Sequence, residues 1–159
     1  VKNCFVWSLL LAATAVAPAL GGTTPVSVTQ TWSRPAATTA VVYATLRNTG
    51  SAGDRLVGAT SPAASSVGLH QSYTTKMSGS SMGGGMQMAG MPMNQSMVGM
   101  RDVSFIDVPA HGVVKLQPGG YHLMLDLRQA SHAGDTILVR WHFAHAGWIA
   151  TKVAVRAMQ

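Results

Sequence analysis

The residues with the clearest chemical potential lie in Tyr121–Leu127, YHLMLDL. In a β-strand, alternate side chains share a face. Tyr121, Leu123, Leu125 and Leu127 form one apolar row, and His122, Met124 and Asp126 form the other. The leucine row supplies a core, so Met124 is expected on the opposite, solvent-facing side beside His122. An imidazole and a thioether at i and i+2 can bind one metal ion from a single strand face. Thioether sulfur is soft and neutral, and it suits Cu(I). Zinc prefers thiolate, imidazole or carboxylate. Calcium and magnesium want oxygen donors, but the five acidic residues are all Asp and are dispersed along the chain.

The chain has 10 Met, and most of them lie between Met77 and Met100. Lys76 to Gly99 is built from Met, Gly, Ser, Gln and Asn. Such a segment cannot offset its ordering entropy by apolar burial, so it reads as a long flexible loop between two strands, of a kind that is commonly functional or disordered. His70 precedes the loop and Met100 ends it. Within it, Met86-Gln-Met88 and Met91-Pro-Met93 form M-x-M pairs. With Met77, Met82 and Met97 they are rival or additional soft donors. His142 and His145, in WHFAHAGW, read as surface and turn residues, with a secondary Cu(II)-type imidazole site as the alternative. His111 and His132 stand beside turns and are assigned no role.

The remaining sequence must position these donors. Residues 1–22 read as a signal peptide: Lys2, an apolar run from Phe5 to Ala17, then small residues, with cleavage near 19–22. The run is short for a membrane span. The single Cys, Cys4, lies in this segment, ahead of the apolar run and badly placed for lipid attachment. An exported domain, 23–159, would then have neither thiol nor disulfide. It contains about eight or nine short β-type runs punctuated by turn signals and no amphipathic helix, the pattern of an all-β sandwich, with a closed barrel as the structural alternative. Pro118-Gly119-Gly120 suits a type II turn.

The formal net charge is +6, but the basic residues are scattered singly, so no basic stripe for nucleic acid is present. The domain offers neither a Cys nucleophile nor a Glu, and no nucleophile turn accompanies its Ser, His and Asp. An enzyme is therefore not expected. A blue-copper electron-transfer site would need a Cys.

At this point the sequence resembles the PCuAC family of periplasmic copper chaperones. The resemblance rests on Met100, the interval 101–121 and His122-Leu-Met124, together with Trp32-Ser-Arg34, Tyr43–Gly50, Asp54–Gly58, Leu69-His70, Pro109-Ala110 and Pro118–Met124. It covers roughly residues 25–157. It implies a cupredoxin-like Greek-key β-sandwich with a Cu(I) site formed by His70, Met100, His122 and Met124. It also implies a periplasmic or otherwise extracytoplasmic location. The expected partner is cytochrome c oxidase subunit II or another copper-accepting assembly factor, with an acceptor at a membrane surface compatible. The departure from the family is the interval 71–99 between His70 and Met100, much longer here because of the Met-rich insertion. Insertion into a surface loop costs little extra closure entropy. The alternative function is a copper buffer or detoxification protein that stores several ions on this loop.

Overall fold

Alternation of apolar and polar residues sets the strands. The computed structural model describes residues 24–76 and 96–157; the expected signal peptide and residues 77–95 of the Met-rich segment lie outside them. Ten strands follow in order: β1 (Val26–Ser33), β2 (Thr39–Asn48), β3 (Asp54–Thr60), β4 (Ala64–Lys76), β5 (Ser96–Asp102), β6 (Ile106–Val108), β7 (Val113–Leu116), β8 (Tyr121–Leu127), β9 (Thr136–Phe143) and β10 (Gly147–Val155). The described residues contain no helix.

The hydrogen-bonded order is β5-β4-β8-β7-β2-β1-β10-β9-β3-β6, with β8 also pairing β2. Most neighbours are antiparallel, but β1 and β10 run parallel, Trp32 opposite Ala154, as do β7 and β8, Leu116 opposite Tyr121. This band folds over one core. Ala40, Val42, Ala44 and Leu46 of β2 and Leu123 and Leu125 of β8 meet Ile137, Val139, Trp141 and Phe143 of β9, all buried. Burial of these side chains from water is the dominant favourable term in folding. Trp141 is completely buried and its indole N–H donates to Thr151 Oγ1 at 2.8 Å, as a buried polar atom requires.

Two strand boundaries differ from the sequence reading. β4 runs on to Lys76, and β5 begins at Ser96, so Lys76 and Ser96–Gly99 are strand rather than loop. The two strands form a ladder from His70–Asp102 out to Lys76–Ser96. Thr74, Thr75 and Val98 are exposed there, so it is backbone pairing that orders them. This separate β5 brings the strand total to ten.

The turn before β8 has the expected form. Gly120 N–H donates to Gln117 O at 3.0 Å, and Gly119 sits at φ 79°. That is the i+2 position of a type II turn, where φ is positive.

Candidate metal site

The candidate ligands meet on the β5-β4-β8 part of the sheet. Directly paired residues project to the same side of a sheet. His70 pairs with His122 and Gly68 with Met124 across β4–β8. On the other flank of β4, His70 pairs with Asp102 and Ser72 with Met100. His70, His122, Met124 and Met100 therefore share one face, opposite the buried Leu123 and Leu125.

The two imidazoles lie face to face, 15° from parallel, with centroids 5.8 Å apart. That is wider than the direct ring contact of His142 on Trp148, at 4.2 Å and 7°. Each ring is held through Nδ1. His122 Nδ1 lies 3.1 Å from the Gly120 carbonyl oxygen, and His70 Nδ1 lies 2.9 Å from Asp102 Oδ1. Both oxygens accept only, so both Nδ1 atoms donate, which in a neutral imidazole puts the lone pair on Nε2. Metal-binding imidazoles are oriented by bonds of this kind.

Burial within the four is unequal. His122 is only 3% exposed, Met124 is half-buried, and Met100 is 60% exposed. The expectation of a solvent-facing His122 is corrected. Strand alternation put it opposite the core, and it lies there, with the ring of His70 stacked beside it at 5.8 Å, yet it is buried. Among the described residues, no three His, Cys, Asp or Glu side chains converge on a common point. The thioethers of Met100 and Met124 on this face are soft donors.

His142 and His145 are engaged elsewhere. His142 stacks on Trp148, with the Arg140 guanidinium 5.4 Å from the same ring. The His145 imidazole is exposed, with Nδ1 3.3 Å from Asp54 Oδ1. The two do not form a second imidazole site with a third ligand among the described residues. Asp54 is itself buried. Burial acts to raise its pKa, but backbone N–H donors from His145, Arg55 and Ala146, at 2.7–2.9 Å, outweigh this, and the carboxyl titrates below its ordinary value. Asp54 thus ties β3 to the β9–β10 turn.

The family model "Putative lipoprotein LpqE-like" matches residues 26–91 and 78–155, together most of the chain. The chain belongs to the LpqE-like family. A relative of this LpqE-like chain, "Putative lipoprotein Lxx21020" of Leifsonia xyli subsp. xyli (strain CTCB07), is 30% identical over 133 residues, 82% of this chain and 69% of that protein. Among solved structures, a copper-bound PCuAC domain from PmoF2 aligns at a TM-score of 0.60 and 22% identity, over 84% of this chain and 94% of that one. The apo PmoF2 PCuAC domain gives 0.59 and 23%, over 84% and 90%. CuI-DR1885 from Deinococcus radiodurans gives 0.53 and 27%, over 86% and 83%. The LpqE-like chain therefore has the cupredoxin-like fold of PCuAC domains, as its sequence implies.

Asp102 is a site-neighbouring residue that the sequence reading did not single out. Its signal was present: it stands two residues after Met100, and so on the same strand face. Met97 belongs to β5, opposite Thr75. Met86, Met88, Met91 and Met93, like Met77 and Met82, lie outside the described residues.

Proposed function

We propose that this chain is an extracytoplasmic Cu(I) metallochaperone, with His70, Met100, His122 and Met124 as ligands and delivery by ligand exchange. The observation that carries the reading is the pairing of His70 with His122, each ring anchored through Nδ1, on a face that also bears Met100 and Met124. Two imidazole nitrogens and two thioethers make a neutral, soft donor set suited to a monovalent ion. Met avoids the disulfide chemistry open to a thiol in an oxidising compartment.

The relatives support this reading. Two of the similar structures are titled as copper-bound or CuI forms, and the family and the curated relative are named as lipoproteins, consistent with export. The proposed acceptor is the dinuclear copper centre of cytochrome c oxidase. The acceptor's ligands replace those of the chaperone one at a time, and the exposed Met100 supplies the accessible ligand.

Anaerobic titration against a Cu(I) chelator tests the site. One tightly held Cu(I) per chain is expected. His122→Ala and Met124→Ala should each weaken binding about tenfold or more while the circular-dichroism spectrum stays that of the parent; this is the order of loss seen when groups that tune a metal site are removed. Unchanged affinity in both variants overturns the assignment. Several tightly bound ions per chain would instead favour storage on the Met-rich segment.

A further inference from the structure

We propose that Asp102 and Gly68 are positioning residues for His70: the carboxylate fixes which ring nitrogen carries the proton, and the bare α-carbon at 68 lets the other nitrogen reach the Met124 row. The inference rests on the Cu(I) reading above and deepens it.

The proton assignment follows from Asp102. Its Oδ1 stands 2.9 Å from His70 Nδ1. A carboxylate accepts, so Nδ1 carries the hydrogen, and in the neutral ring that binds a metal Nε2 carries the lone pair. The Asp102 side chain is 88% exposed. So open a hydrogen bond contributes little to folding, and its effect falls on the orientation of the ring. The corresponding bond at His122 is made to a backbone carbonyl, at Gly120. Asp102 is thus the side chain through which the site can be tuned by substitution.

The reach of Nε2 follows from Gly68. A Cβ built at position 68 would lie 2.6 Å from His70 Nε2 and 3.2 Å from its Cδ2. The imidazole therefore folds directly over the glycine, with Nε2 above the position that pairs with Met124. Glycine inside a strand weakens it and commonly marks a close approach. Here the approaching group is the proposed ligand nitrogen. Any larger residue displaces that nitrogen from the Met124 row.

The test uses the full chain. Nitrogen-15 NMR of the copper-free protein reads the His70 tautomer, and anaerobic chelator competition reads Cu(I) affinity. The parent should show His70 protonated at Nδ1. Asp102→Ala should give mixed tautomers and a roughly 10- to 100-fold weaker affinity, the range for groups that orient metal ligands. Asp102→Asn, whose amide oxygen still accepts, should recover the tautomer and most of the affinity. Gly68→Ala should lower affinity with the tautomer intact, because it moves the nitrogen rather than the proton. Parental affinity in Asp102→Ala and Gly68→Ala, with the tautomer unchanged, overturns the inference and leaves the copper reading standing. A parent that binds no Cu(I) overturns both.

Discussion

His122 shows how one residue can be read rightly for position and wrongly for environment. Strand alternation put it with Met124 on the face away from the leucines, and the structure has it there. Its burial depends on what surrounds it in the fold, where the β4–β8 register sets the His70 ring beside it, and local sequence does not display that. Asp102 stands two residues after Met100, so its strand face was legible, but its link to His70 spans a long insertion that hides the alignment of the two strands. Asp54 yields a prediction at this scale. Its pKa is lowered in the folded state, so its stabilising contribution is complete above the ordinary carboxylate range. That contribution is lost as pH falls toward and through the lowered value. Asp54→Asn should cost about 1–3 kcal/mol at neutral pH, the range for disturbed buried hydrogen bonds. Urea denaturation at a series of pH values should show the deficit shrinking as the solution is acidified.

At the scale of elements, turns and periodic strands were the legible parts. Gln117–Gly120 forms the expected turn, and it matters to the site because the Gly120 carbonyl holds His122. Gly119→Ala forces a Cβ into the left-handed region, and the domain should lose roughly 1–2 kcal/mol, measurable as a lower urea midpoint with an unchanged slope. A fully parental midpoint would show that the turn relaxes without strain. The outer halves of β4 and β5 were not legible. Thr74, Thr75, Val98 and Gly99 carry no alternating apolar pattern strong enough to announce a strand. Their order comes from pairing with one another, which composition does not display.

At the scale of the whole molecule, the Met-rich segment is a separable feature. Lys76 and Ser96 already face each other at the end of the β4–β5 ladder. Replacing residues 77–95 by a two-residue Asn-Gly turn, a favoured hairpin connection, should leave the fold intact. It should also leave one Cu(I) site with close to parental affinity. Metal analysis after gel filtration checks this; loss of the last bound ion would move the essential sulfur into the excised stretch. The place of β5 in the sheet has a further result. Among the described residues it bonds only to β4 and forms the rim of the band, whereas β8 is gripped by both β2 and β4. On the proposed reading, Met100 stands exposed on the rim strand, open to a visiting ligand, whereas His122 stands nearly fully buried on an interior strand. A recipient approaching along the described edge of β5 would therefore meet Met100 before His122.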